Sequence, residues 1–189
     1  MVAMAEMIDD ELLVAQFNRG DESAFDRIVE HYAPDVAALT NRLLGWPGDV
    51  EDVTQDVFLA AFLGLKKFRC DCSLKSWLFT ITINKCRSYR HRRKLRQLQA
   101  IPIPTDGLGR RLPPVETGES LMDAEDFNRV RHAVARLPAK YREPLILRYL
   151  QELPTKEMVR ILGVSGSTLN VRLSRARERL RRELAGLIE

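Results

Sequence analysis

Four groups of residues in this 189-residue chain have the types and spacings that chemistry uses. Glu51, Asp52 and Asp56 bring three carboxylates to one helix start, where a nuclease would hold a divalent cation. No histidine or further acid joins them at a useful spacing, and acids in a first turn oppose the helix dipole, so solvated charge is the better reading. Cys70-x-Cys72, with Cys86, offers thiols for zinc or redox sensing, but not at the ligand spacing of a common structural zinc site. An odd number of cysteines and no export signal argue against a disulfide framework, and small buried side chains are expected. No catalytic residue, metal or cofactor is therefore expected. The other two groups are built to bind. From Trp77, Phe79 and Ile81 the chain passes through Asn84, Arg87 and Ser88 to Arg90-His91-Arg92-Arg93-Lys94, rings giving way to cations. That order suits a single nucleic-acid strand, whose bases stack on rings at about 1–3 kcal/mol each while its phosphates follow positive charge. Near the other end, Arg172, Arg175, Arg177, Arg179, Arg181 and Arg182 put six arginines into eleven residues.

Helices must position these groups. Val53, Val57, Phe58, Ala61, Phe62 and Leu65 recur at three- and four-residue spacing behind Asp49, which is placed to cap. Phe68-Arg-Cys-Asp-Cys-Ser73 is a polar break ending in a good N-cap, and residues 73–96 follow as one helix. Phe79–Ile83 alone alternates like a β-branched strand, but it has no partner strand in a chain otherwise written in helical periods. Earlier helices are expected over 9–20, stopped by Gly20, and over 21–44, with Pro34 near a bend or cap; Trp46-Pro47-Gly48 then breaks the chain.

Residues 97–120 lose all periodicity and collect prolines and glycines, as a linker does. Beyond it, a helix over 123–137 is closed by Pro138 and another covers 141–150. Residues 155–162 then stop at Gly163, and Ser165 caps a basic helix from Gly166 to about Leu184, which together describe a helix-turn-helix. Val164, Leu169, Leu173, Ala176 and Leu180 form its inward stripe. Ser167, Thr168, Asn170, Val171, Ser174 and Arg175 are left outward near its start, where such a helix enters the major groove. Later arginines, Arg177 among them, are expected on phosphate or solvent. The fold class is all-α: a first helical domain over 1–97, a flexible linker over 98–122 and a helix-turn-helix domain over 123–189.

Charge divides the chain the same way. Through Ala61 thirteen acids stand against three arginines, a net charge of −10, so the remainder carries +14 to reach the overall +4. A basic rear facing phosphate and an acidic front facing protein are expected. The first twenty residues show no signal-peptide pattern, and no stretch approaches a membrane span of roughly 20 apolar residues, so a cytoplasmic location without membrane insertion is expected.

Two separate segments resemble one family. Asp49–Leu59, Phe68–Trp77 and Asn84 are similar to region 2 of the extracytoplasmic-function group of bacterial sigma factors, while Leu137–Tyr149 and Leu162–Leu180 are similar to region 4. The resemblance implies transcription initiation with core RNA polymerase and promoter DNA as partners, and leaves room for an anti-sigma factor. It implies that Asp52, Gln55, Asp56 and Phe58 dock the polymerase. It also implies that Phe68, Trp77, Asn84, Arg87 and Ser88 surround the upstream edge of the opening bubble (the −10 element), where a nontemplate base is flipped into a pocket by the 68–76 loop. Ser167, Thr168, Asn170, Val171, Arg172, Ser174, Arg175 and Arg177 would meet the distal (−35) element. Where the family usually has glycine this chain has Cys70, and Asn170 and Val171 point recognition toward adenine edges or a thymine methyl. The rival reading is a stand-alone helix-turn-helix regulator that binds duplex DNA without polymerase.

Overall fold

The computed structural model describes residues 9–45, 49–99 and 121–185, which form eight helices. Helix α1 (Asp10–Asn18) starts where the Asp9 carboxylate accepts from the N–H groups of Glu11 and Leu12, both at 3.1 Å. It closes ahead of Gly20, whose φ of +99° suits only a residue without Cβ. Helix α2 (Ser23–Leu44) continues past Pro34, which stands inside the helix and not at a cap. The lost ladder bond is offset by burial of Ile28, Tyr32, Val36 and Leu39 on the same helix.

Helix α3 (Val50–Leu65) begins at Asp49, but Asp49 makes no side-chain cap bond. Its carboxylate accepts instead from the Tyr89 hydroxyl, so the expected cap is a tie to the next helix. Helix α4 (Leu74–Gln99) is capped by Ser73, whose hydroxyl oxygen accepts from the Ser76 N–H at 3.2 Å. The ambiguous run Phe79–Ile83 is helical. The Thr80 and Thr82 hydroxyls donate to the carbonyls of Ser76 and Leu78 at 2.9 and 2.8 Å, which satisfies both within the helix.

The core of α1–α4 is aromatic at one end. Phe62 meets Phe17 and Phe25 edge-on, at centroid separations of 5.3 and 5.1 Å, and Phe58 meets Phe25 at 6.5 Å. Such pairs contribute about 0.5–1.5 kcal/mol each beyond area burial.

Helices α5 (Leu121–Arg136), α6 (Ala139–Tyr149), α7 (Thr155–Leu162) and α8 (Gly166–Ala185) make the second set. Gly163, at φ +64°, ends α7, and the Ser165 hydroxyl accepts from the Thr168 N–H at 3.2 Å to start α8. Leu169 and Ala176 are buried and Leu173 and Leu180 pack beside them, the stripe expected of this helix-turn-helix.

The two sets also share a core. Leu39, Leu43, Phe79, Ile83 and Cys86 of the first join Leu145, Met158 and Ile161 of the second in one apolar cluster. Around it Ser76 donates to Glu157 at 2.6 Å, Arg42 to the Leu150 carbonyl at 2.8 Å, and Arg160 to the Asp71 carbonyl. The linker expected over 98–122 falls almost wholly on residues 100–120, and the Trp46-Pro47-Gly48 break on 46–48; both lie outside the described residues.

Candidate nucleic-acid interface

Helices α3 and α4 cross so that one wall of a groove comes from each. The cavity is about 380 Å³, with Asp56 on one side and Ile81, Asn84, Lys85, Ser88 and Arg92 on the other. Helical spacing alone brings Ile81, Asn84, Ser88 and Arg92 to this stripe, because residues three and four apart share a face. Asn84 and Ser88 are exposed and offer donors and acceptors suited to a base edge; Lys85 and Arg92 add charge for phosphate. Arg92 also reaches across to Asp56 at 3.7 Å, an ion pair roughly half in solvent. Lys85 was not singled out in the sequence, and Arg92 only as one of a run of cations, which carries no signal of which of them faces the groove.

Trp77, expected with Asn84 and Ser88 at the −10 element, does not line this groove. Its ring packs on Phe68, with centroids 5.0 Å apart and planes 37° apart, and both side chains are half-buried beside the first core. Gly64 of α3 lies directly beneath: a Cβ there would stand 3.3 Å from the indole. The Phe68–Trp77 pair thus flanks the 68–73 loop as a braced wall with one open side. In that loop Cys70 takes a φ of +54°, the left-handed region where glycine is unstrained. Of the three cysteines only Cys86 meets the expectation of burial, with its thiol pushed up to about 12 by desolvation. Cys70 is exposed, and its thiol is held above the ordinary value by desolvation and then by the acids Glu11 and Asp71, which disfavours a reactive thiolate.

Arg87 leaves this surface for the second helical set. Its Nε and one terminal nitrogen donate to the two carboxylate oxygens of Glu143 on α6, at 2.8 and 2.5 Å. The Glu143 side chain is 3% exposed and that of Arg87 42%, so the pair is sealed on one side only. That bond raises the arginine's affinity for its proton.

On the outer face of α3, Asp52 and Gln55 are exposed and Asp56 partly so. Phe58 is not part of this face: it is 8% exposed and packs on Phe25, so it anchors the helix and offers nothing to a partner. Leu59 and Leu63, 59% and 71% exposed, continue the acidic face toward the C-terminal end of α3. Their signal in the sequence is faint, two leucines out of phase with the buried stripe.

The recognition helix presents Ser167, Thr168, Asn170, Val171, Ser174, Arg175 and Arg177 to solvent, with Arg172 half-buried. Beside its first turns lies a cavity of about 360 Å³. Ser167, Thr168, Val171, Arg172 and Arg175 form one wall and Lys140 and Tyr141 of α6 the other. Neither α6 residue was expected there, since both precede the helix-turn-helix in sequence and only tertiary packing brings α6 alongside α8.

Comparison with known proteins agrees with this layout. Residues 28–96 match the family profile for sigma-70 region 2, and residues 127–180 match sigma-70 region 4. The ECF RNA polymerase sigma-E factor of Escherichia coli (strain K12) is 31% identical over 98% of this chain and 99% of its own length. The ECF RNA polymerase sigma factor SigW of Bacillus subtilis (strain 168) is 30% identical over 92% of this chain and 96% of its own. Among solved structures, CnrH in complex with the cytosolic domain of CnrY superposes with a TM-score of 0.67 at 29% identity, over 94% of this chain and 97% of that one. The sigma factor RpoE in complex with the anti-sigma factor NepR from Bartonella quintana gives 0.68 at 25%, over 85% and 96%.

Proposed function

This chain belongs to the sigma-70 family of RNA polymerase sigma factors, in its extracytoplasmic-function group, and from that premise we propose how its surfaces divide the work of promoter recognition. The exposed Asp52 and Gln55, with the partly exposed Asp56, dock the polymerase through complementary charge; Phe58 holds their helix in place from inside. The α3–α4 groove takes the nontemplate strand of the −10 element, with Asn84 and Ser88 on base edges and Lys85 and Arg92 on phosphates. The loop walled by Phe68 and Trp77 receives the extruded base, whose unstacking costs a few kcal/mol that stacking and hydrogen bonds must offset. Arg87 reaches DNA only when its bond to Glu143 parts, so the free chain holds one of its DNA contacts in reserve.

The −35 element is read by the outward residues of α8. Domains over 1–97 and 123–189, joined by a linker over 98–122, let the two elements be engaged at separate points of the promoter. The chain itself performs no covalent chemistry and works in the cytoplasm, where the polymerase is; among its described residues no helix is long and apolar enough to cross a membrane. As CnrH and RpoE were each solved in complex with another protein, in the second case an anti-sigma factor, an anti-sigma factor is a partner of this chain too.

The observation that carries this reading is the coexistence, in one chain, of an acidic helix face, a groove of base-reading and phosphate-binding side chains beside it, and a basic recognition helix. The test is to add the purified chain to core polymerase and map transcript starts. Initiation at defined sites is expected. Duplex binding equally strong without polymerase would favour a stand-alone regulator, and cation-dependent cleavage of the DNA would favour a nuclease.

A further inference from the structure

Beside the recognition helix, a charged cluster surrounds Tyr141. This residue lies on α6, ahead of the helix-turn-helix, and is only 5% exposed. Its ring is fixed by charge as well as packing: the Lys140 ammonium stands 5.1 Å from the centroid and the Arg179 guanidinium carbon 4.9 Å. Tyr141 and Arg175 line the same cavity beside the first turns of α8, from facing walls, near enough that a hydrogen bond from Arg175 lowers the pKa of the phenol.

An arginine on an exposed helix face ordinarily sweeps a wide arc, and fixing it in one pose costs side-chain entropy of about 2 kcal/mol. A phosphate contact tolerates that freedom, because a point charge attracts from many directions. A base edge does not. Two parallel N–H bonds to one base demand that the guanidinium plane be set, and guanine is the base whose major-groove edge offers two acceptors, O6 and N7. A phenol whose ring is held on the α6 wall supplies that setting by taking one of the five N–H groups of Arg175 and leaving the others for DNA. Lys140 and Arg172, on opposite walls, are placed for the flanking phosphates.

We propose that Tyr141 is a positioning residue for −35 recognition: its hydroxyl orients Arg175 so that Arg175 reads a guanine edge and not a phosphate. The proposal rests on the sigma-factor reading and adds to it a specificity determinant outside the recognition helix. Tyr141 acts through Arg175 and touches no base itself.

The test uses holoenzyme reconstituted from core polymerase and the full chain, offered duplex promoters randomised across the −35 element. The unaltered protein should select guanine at one position by about tenfold or more. Tyr141→Phe keeps the ring and both cation contacts but lacks the oxygen. It should flatten that single preference toward equality, leave selection at the other positions unchanged and leave the salt dependence of binding unchanged. Arg175→Ala should erase the same preference, and the double variant should select no worse than Arg175→Ala alone, since both changes remove one unit. Tyr141→Phe with wild-type selectivity would overturn the proposal. So would losses that add in the double variant, or an Arg175→Ala loss equal at every position with a salt slope lower by about one, the mark of a phosphate contact. Failure of the unaltered holoenzyme to start at any defined site would instead sink the sigma-factor reading beneath it.

Discussion

Replacing Glu143 by glutamine removes the carboxylate that joins the two helical sets while keeping the shape of the side chain. Three guanidinium groups depend on that carboxylate. Arg87 is bonded to it directly, and Arg90 and the 2%-exposed Arg142 both have their charged forms favoured by it. Arg142 donates to the carbonyls of Ala135 and Leu137, and its Nε has no partner among the described residues. Breaking a fully buried pair costs about 3–5 kcal/mol, while an exposed pair contributes about 0–1. Arg87 is half in solvent and can turn outward when the carboxylate is gone, whereas the Glu143 side chain, 3% exposed, stays buried when Arg87 is gone. Arg87→Met, which leaves the buried carboxylate without its hydrogen-bond donor, is therefore expected to cost about 2–4 kcal/mol, and Glu143→Gln, after which Arg87 can turn to solvent, about 1–2 kcal/mol. Urea unfolding of the full chain, followed by far-ultraviolet circular dichroism, measures both through the shift in midpoint. The ordering is the critical result. If Glu143→Gln proves the more costly change, or if Arg87→Met leaves the midpoint where it was, Arg87 is not the partner on which the buried carboxylate depends.

Other outcomes follow from single side chains. Trp77→Ala should slow promoter opening, read with a fluorescent base at the −10 element, more than it weakens closed-complex binding, because rings stack only on unpaired bases; equal losses would deny the loop its base-trapping role. Cys70→Gly should raise stability by about 1 kcal/mol, seen as a higher melting temperature, since the left-handed backbone at this position strains any residue with a Cβ. Tyr141 should ionise before Tyr32 and Tyr89 in a phenolate absorbance titration, because the Arg175 hydrogen bond lowers its pKa while burial raises theirs. Its folded value lies below its unfolded value of about 10, so stability gains from it as pH climbs through that interval and loses that gain as pH falls back through the folded value. Arg175→Ala should move the Tyr141 step upward, and an unmoved step would mean that the hydrogen bond is absent.

Most of the local structure was legible because it depends on neighbours in sequence. The Asp9 cap, the Gly20 and Gly163 stops, the Ser73 and Ser165 helix starts and the inward stripe of α8 each rest on interactions within about four residues. The outward residues of the recognition helix follow from the same period. Where local rules failed, a distant partner had intervened. Asp49 turned from its own helix to Tyr89, forty residues on, and Pro34 was carried through α2 by packing that no turn rule contains. Phe58 sat at a phase compatible with either face, and Phe25 settled it inward. Helical period put Asn84 and Ser88 on one side of α4, but only the crossing of α3 made that side a groove. Charge order along the chain announced two kinds of partner. Which cation meets which, as in Arg87 with Glu143 and Arg175 with Tyr141, was decided by the packing of helices far apart in sequence, since hydrogen bonds and ion pairs act over a few ångströms of space whatever length of chain separates the residues.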